Sequence, residues 1–397
     1  MGALFHYAIP LAVHRLGWLG QFYTDIWAGK LAWSPLRAIP TPFRPDSLKR
    51  FLGRSAAGLP PELVAEFPLL AFRNRLQYRR ARSVAEMLRG HMDAGRRFCQ
   101  CIIRHGLGDC NAVYTTNTQG LALLIHARKR GLRTFMEQTI APYSIEMKIV
   151  REEQHLFPDW EKPIEQVGET GAAYTELEHQ EWKNSDRILC GSEFVRNAIH
   201  SAGGPADRCV VVPYCYEPDT ALPERVRHTR RLRVLTVGTV GLRKGLAWVS
   251  QTAEQLRGQM DFRVVGPLRL APRGVEILNN SVDLVGPVPR SEVLDHFKWA
   301  DVFLLPSLCE GSATVCYEAM AMGLPVICTP NTGSVVREGE DGFIVPVRNT
   351  ATIVERLLQL DRDRDLLLAM SKAAAARAGY FSMESYIHRL GAALAKE

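Results

Sequence analysis

The sequence predicts an α/β fold with two Rossmann-like, doubly wound parallel-sheet domains facing each other across a cleft. Three observations predict it. The chain has 397 residues, more than one ordinary core accommodates and enough for two domains. Short apolar runs alternate with helix-like segments, and many of the runs end in Gly, Ser or Pro. One polar stretch, EPDTALPERVRHTRR (residues 217–231), carries two prolines and no apolar periodicity, which marks a linker.

The division that follows is a first domain over 1–216, a linker over 217–231, a second domain over 232–378 and a final segment over 379–397. In chain order, the strands expected before the linker are NAVYTT (111–116), RTFMEQ (133–138), RILCGS (187–192) and CVVVPY (209–214). After it come LRVLTVG (232–238), DFRVVG (261–266), VDLVG (282–286), VFLLPS (302–307) and PVICTP (325–330). Ligands of open parallel sheets bind beyond the carboxyl ends of strands, at helix N-termini. Two such domains therefore line their shared cleft with strand-to-helix loops.

Composition narrows the class. With 46% hydrophobic and 23% charged residues the chain reads as an ordinary globular protein. No segment approaches the roughly 20 apolar residues of a membrane span. The opening MGALFHYAIPLAVHRLGWLG has no basic lead-in, and His14 and Arg15 interrupt it, so it does not read as a secretory leader. The expected location is the cytoplasm. Nine cysteines occur without a C-x-x-C pair, which fits reduced structural thiols. Cys99 and Cys101 near His105 lack a second ligand pair for zinc, and no metal is expected. His105 and His126 read as ordinary core or surface histidines.

The formal charge of +7 is uneven. From Arg37 to Arg104 there are fourteen basic residues against five acidic ones, while from Arg151 to Glu181 there are nine acidic against two basic. The basic stretch, with FRNRLQYRRARSVAEMLRG at its centre, is equally a solvated helix face or a contact for an anionic membrane surface or a phosphorylated substrate. Nucleic acid is not an expected partner, because none of its recognition motifs is present.

Two loops carry chemistry. In VLTVGTVGLRKGLAWV a strand leads through Gly238, Gly241, Arg243, Lys244 and Gly245 into a helix. The glycine spacing is neither a dinucleotide fingerprint nor a Walker loop. It does let backbone approach a ligand closely, with two adjacent cations for an anion such as a diphosphate. A glycine turn with a surface Arg-Lys is the plainer alternative. In ADVFLLPSLCEGSATVCYEAMAMGLP a buried strand turns into a helix that Gly323 and Pro325 end. Gly311, Ser312 and Ala313 keep the helix start open, so that its free N–H groups suit a phosphate. Glu310 and Glu318 flank that start. Glu318 lies about one turn inside and suits two neighbouring sugar hydroxyls. Taken singly, Glu310 is equally a helix-dipole partner and Glu318 a solvent-facing helical glutamate. Together the two loops look like a site for a nucleotide-diphosphate sugar.

At this point the sequence resembles a known family, the retaining glycosyltransferases of the GT-B fold in the bacterial family-four (glycosyl transferases group 1) type. The likeness is strongest over residues 185–347. It runs through SDRILCGSEFVRNAI, VVVPYCYEP, VGTVGLRKGL and the long block from VDLVGPVPR to EDGFIVP, with the Glu-x7-Glu pattern intact as Glu310 and Glu318. The resemblance implies that Lys244 and Arg243 contact the donor diphosphate beside Gly241, and that Glu310 faces the donor sugar. It implies that Glu318 binds the ribose, that the backbone of Gly311, Ser312, Ala313, Thr314 and Val315 holds phosphate, and that Pro289 lies near the base. The final segment would cross back to the first domain.

It also implies sugar transfer with retention to a saccharide or lipid-linked acceptor, in cell-surface polysaccharide or glycolipid synthesis. The enzyme would need no cofactor and would work in the cytoplasm or on the inner face of its membrane. No D-x-D follows a strand, since LDRDRD (360–365) reads as solvated helical charge, so fixed cations and a helix start would stabilise the leaving diphosphate. Its phosphate oxygen would take the acceptor proton. The first half departs from the family. The opening lacks a glycine-rich loop, Thr239 stands where many relatives carry Arg, and either Thr116 or Asn117, together with Glu137, stands near acceptor-side positions where relatives often carry His. The alternatives are a non-catalytic nucleotide-sugar-binding protein of the same fold, or a different activity on it such as an epimerase.

Overall fold

The computed structural model describes residues 7–29, 34–40, 44–217 and 230–395. The first half holds a parallel pair, β1 (Phe22–Thr24) with β2 (Val64–Glu66), and a separate parallel sheet. That sheet consists of β3 (Ala112–Thr116), β4 (Arg133–Gln138), β5 (Arg187–Cys190) and β6 (Cys209–Val211), in that spatial order. A cavity of about 1180 Å³, lined in part by Phe22, Phe98, Val113 and Phe135, lies between the pair and the sheet.

The second half is one six-stranded parallel sheet. Its strands are β7 (Leu232–Val237), β8 (Met260–Val265), β9 (Asp283–Gly286), β10 (Val302–Leu305), β11 (Val326–Cys328) and β12 (Gly342–Ile344). The spatial order is β12-β11-β10-β7-β8-β9. β10 is buried at every position, as a central parallel strand covered on both faces must be. One face packs Leu232, Val234 and Leu304 with Leu246, Val249 and Leu357, and the other packs Leu235, Phe303 and Leu305 with Met320.

All nine expected strands form. β1, β2 and β12 go beyond the expectation; β1 (FYT) and β2 (VAE) are three-residue strands with no apolar run to announce them, while β12 begins the short apolar run GFIV. Of the expected linker, residues 218–229 lie outside the described residues. The helix Met383–Ala395 packs Tyr386, Leu390 and Leu394 against Ala8, Ile9, Phe135 and Leu189 of the first half. The Arg187 guanidinium donates to the Ala393 carbonyl at 2.9 Å and fixes the end of this helix.

The strand order of the second sheet reverses between β7 and β10. Chain leaving β7 turns one way across the sheet and chain leaving β10 the other, which opens a crevice between the two exit loops. These are the Arg-Lys loop and the loop carrying Glu310. They are locked together, because Leu308 N–H donates to the Arg243 carbonyl at 2.9 Å. Gly245 sits at φ +76°, and a Cβ there would lie 2.1 Å from the Pro306 carbonyl oxygen. Gly245→Ala is therefore expected to destabilise the protein by roughly 2 kcal/mol or more, read as a lower urea midpoint at unchanged m.

Candidate active site

Lys244 Nζ lies 2.7 Å from Glu310 Oε1, and Arg243 Nη1 lies 3.1 Å from the same oxygen. The Lys244 side chain is only 12% exposed, so this group of charges sits largely out of water and interacts strongly. Arg243 is held further by the Cys309 carbonyl at 2.5 Å, and Ser307 Oγ lies 3.4 Å from Glu310 Oε1. Two cations thus share one carboxylate at the switch point. They come from a glycine-bounded 3₁₀ turn, Leu242–Lys244, that points them back over the strand end.

Beside them starts the helix Thr314–Ala321. Ser312 Oγ donates to the Gly333 carbonyl and meets Tyr317 Oη, both at 2.8 Å, and Ala313 N–H donates to Thr332 O at 3.1 Å. These contacts fix the approach to the helix. Among the described residues the amides of Thr314 and Val315 donate to no protein acceptor, so this helix start can receive an anion. Glu318 is on the same helix, 3.5 Å from Arg290 Nη2. Arg290 opens the helix Arg290–Trp299, immediately after Pro289. Burial raises the Glu318 pKa, and Arg290 opposes the rise. The structure therefore assembles two neighbouring groups, one of Lys244, Arg243 and Glu310 and one of Glu318 and Arg290, on either side of one open helix start.

The first half closes over this surface. A Cβ on Gly311 would lie 1.8 Å from the Thr139 carbonyl oxygen, so only glycine permits this approach. Asn117 Oδ1 accepts from Thr139 Oγ1 at 2.9 Å and from Thr139 N–H at 3.2 Å, and this places Asn117 one residue behind the contact. Ser192 Oγ donates to the Gly311 carbonyl. Glu161 Oε1 accepts the Leu242 N–H at 2.6 Å and crowds Gly241, while Glu146 Oε1 lies 3.6 Å from Arg243 Nε. Residues of the first half that the sequence did not single out, namely Thr139, Glu146 and Glu161, thus sit against the Arg-Lys loop and Gly311. The only sequence signal is the acidic bias of 151–181, which contains Glu161.

Glu137 corrects an expectation. It is 2% exposed and lies beneath the strand end, not on the cleft surface. It shares the face of β4 with Phe135, toward the helix Met383–Ala395, and its Oε2 accepts from Tyr114 Oη at 2.7 Å. Burial pushes its carboxyl up to about 7, with the Tyr114 and Tyr214 hydroxyls opposing. The folded protein keeps a proton here that the unfolded chain gives up near pH ~4.3. This group's effect on stability is therefore most favourable at acid pH, falls as pH rises through about 7, and is level beyond it. Glu137→Gln is expected to match wild type near pH ~4, below the unfolded pKa, and exceed it at pH 8 by on the order of a few kcal/mol, in paired thermal melts.

The polar edge of the first half lies near Asn117. His91 Nε2 is 3.0 Å from Thr118 Oγ1 and 2.8 Å from Gln119 Nε2, and Tyr174 Oη donates to Thr118 Oγ1 at 3.2 Å. Among the described residues no three His, Cys, Asp or Glu side chains group as metal ligands. Asp361 and Asp363 of LDRDRD serve a local ion pair and a helix cap.

The observation that decides the family of the second half is a match of residues 231–363 to the family described as glycosyl transferases group 1. Residues 231–363 are a glycosyl transferases group 1 domain. This group 1 domain spans the whole six-stranded sheet and both charge groups. The chain is 27% identical over 211 residues to the amylovoran biosynthesis glycosyltransferase AmsK of Erwinia amylovora, covering 49% of this chain and 52% of AmsK. It spans about half the length of the curated relatives it matches.

Over nearly its full length the fold superposes on sucrose-phosphate synthase of Thermosynechococcus elongatus, with TM-score 0.68, 17% identity and coverage of 98% of this chain and 91% of that one. It also superposes on Anabaena HepE in complex with UDP-glucose, with TM-score 0.59, 14% identity and coverage of 99% and 96%. The group 1 domain is thus the second half of a two-domain GT-B fold. Among the described residues no helix is long and apolar enough to cross a membrane.

Proposed function

We propose that the protein transfers a sugar from a nucleotide-diphosphate sugar to a saccharide or lipid-linked acceptor, with retention of anomeric configuration. The observation that carries the reading is the pairing of Lys244 and Arg243 with Glu310 at the switch point, beside an open helix start. The diphosphate would lie over Lys244, Arg243 and the Thr314 and Val315 amides, with the ribose on Glu318 and the base toward Pro289. The sugar would lie toward Glu310 and the Thr139–Asn117 edge, where the acceptor would enter. As the glycosidic bond breaks, the diphosphate gains charge that fixed cations and helix amides stabilise without reorganisation. Its oxygen can take the acceptor proton on the face the sugar leaves, which retains configuration and needs no separate base. The place of AmsK in amylovoran biosynthesis supports a role in cell-surface polysaccharide synthesis, and the UDP-glucose bound by HepE makes uridine diphosphate sugars the first donors to try.

The test is a thermal-shift panel of UDP-, GDP-, ADP- and CMP-sugars on the wild type and on Glu318→Ala. A ligand that binds only the folded state raises Tm with its affinity and concentration. One nucleotide class should stabilise the wild type. Loss of the hydrogen bonds from both ribose hydroxyls to a charged acceptor should weaken its binding by about a hundredfold in Glu318→Ala. If no nucleotide sugar stabilises the wild type, the reading is withdrawn.

A second reading has its own observation. Glu161 holds the Leu242 amide and Glu146 flanks Arg243, so carboxylates of the first half already stand where a diphosphate would come. A protein that binds a nucleotide sugar without turning it over could keep its site in this state. Release of nucleoside diphosphate from the stabilising donor, with or without acceptor, decides between the two.

A further inference from the structure

A surface helix of a water-soluble domain normally turns its apolar stripe inward. The helix Pro68–Arg80 does the reverse. Its inner face carries Leu70 and the polar Asn74 and Gln77, whose side-chain oxygens both accept from Arg97 Nη2, at 3.1 and 2.6 Å. At its start Phe67 stacks on Tyr23 and meets Phe98 edge-on. The helix is therefore held rigidly from within. Its outer face presents Leu69 at 87% exposure, Phe72 at 71% and Leu76 at 40%.

At about 100° per residue these three apolar side chains fall within an arc of about 60°. Arg73 and Arg80 border that arc on one side, and Arg75 and Arg79 on the other. All four arginines are exposed, and among the described residues none of them makes an ion pair or hydrogen bond. From Phe67 to Ala85 the chain has five arginines and no acidic residue.

We propose that this helix is a membrane-docking element that lies flat in the headgroup region of an anionic bilayer. Leu69, Phe72 and Leu76 enter the acyl boundary, and the flanking arginines pair with lipid phosphates. With 13 residues the helix is too short to span, and an apolar stripe between two rows of cations is the pattern of a helix in the interface plane. The uncompensated charge selects an anionic lipid surface over a protein face, whose own acids would have to match four arginines around a flat apolar arc.

The helix also lies close to the acceptor edge. Tyr78 Oη meets His91 Nδ1 at 3.5 Å, and the other ring nitrogen of His91 reaches Thr118 and Gln119 beside Asn117. A bilayer on this helix would bring a lipid-linked acceptor to the side of the cleft where Asn117 and Thr139 stand. The docking stands on the helix alone, whereas that last step rests on the transfer reading.

The experiment is co-sedimentation of the full chain with vesicles of phosphatidylcholine alone or mixed with phosphatidylglycerol, at low and high salt. Wild type should bind the mixed vesicles at low salt and lose most of that binding at high salt. Leu69→Ser/Phe72→Ser should lower partition by tenfold or more, and Arg75→Glu/Arg79→Glu by at least as much. These side chains are exposed, so the variants should keep the wild-type Tm and the wild-type thermal shift with the nucleotide sugar. That readout separates failure of docking from failure of donor binding. Wild type that ignores phosphatidylglycerol overturns the proposal, as does vesicle binding unchanged in the serine variant. Self-association that the same substitutions abolish, without vesicle binding, overturns it in favour of a protein partner.

Discussion

Lys244→Ala is expected to lower kcat/KM for the nucleotide-diphosphate sugar by about a hundred- to a thousandfold, with most of the loss in kcat. The magnitude follows from where the charge sits. The Lys244 ammonium is largely withdrawn from water and 2.7 Å from Glu310, on a turn that Gly245 and the Leu308–Arg243 hydrogen bond hold against the neighbouring loop. A cation fixed this way needs no rearrangement as the diphosphate leaves, and it acts in a medium that screens poorly. The negative charge on the leaving group is larger in the transition state than in the bound donor, so the lost interaction appears mainly in turnover. Arg243 remains, which is why the loss stops short of abolition. Donor binding should weaken by a smaller factor, read by titrating the thermal shift. A loss of less than tenfold in kcat/KM would remove Lys244 from the catalytic machinery.

The second half of the protein was far more legible in the sequence than the first, and the reasons are local. Around β7 and β10 the strand, the glycine turn and the next helix follow one another within about twenty residues. The groups that meet in space there are announced by short-range pattern. Parallel order then puts the two loops side by side without further information. The first-half residues at the cleft depend instead on how two domains dock. Glu146 and Glu161 lie on the helix Tyr143–Leu156 and in the chain just beyond it, and nothing in their own neighbourhood says that they face Arg243 and Leu242. Glu137 shows a different failure. Its position along the chain resembled an acceptor-side residue, but strand alternation places it on the face of Phe135, under the helix Met383–Ala395. The period-two pattern of RTFMEQ contains that answer once it is known which face the final helix covers. The outward stripe of the helix Pro68–Arg80 was visible only as a basic, aromatic-sprinkled segment. The polar anchoring of its inner face by Arg97 is a tertiary fact.

Glu310→Gln should separate the two halves of the proposed chemistry. Glu310 Oε1 receives Lys244, Arg243 and Ser307 together. Glutamine keeps the volume and one acceptor oxygen but removes the negative charge that compensates the two cations. A diphosphate then meets Lys244 and Arg243 with less of their charge already satisfied, so nucleoside diphosphate should bind as tightly as to wild type or more tightly. Turnover should move the other way. Sugar transfer passes through an oxocarbenium-like state, and a carboxylate facing the sugar stabilises its developing positive charge, which a neutral amide does not. The expected result is a kcat lowered by about a hundredfold with Kd for the diphosphate unchanged or reduced, in contrast to Lys244→Ala, where both worsen. A Glu310→Gln protein that loses diphosphate binding as severely as Lys244→Ala would show that Glu310 merely props the lysine in place. The sugar-facing role would then have to pass to another group, and Thr139, which packs against Gly311 and is held by Asn117, belongs to the first-half edge that adjoins it.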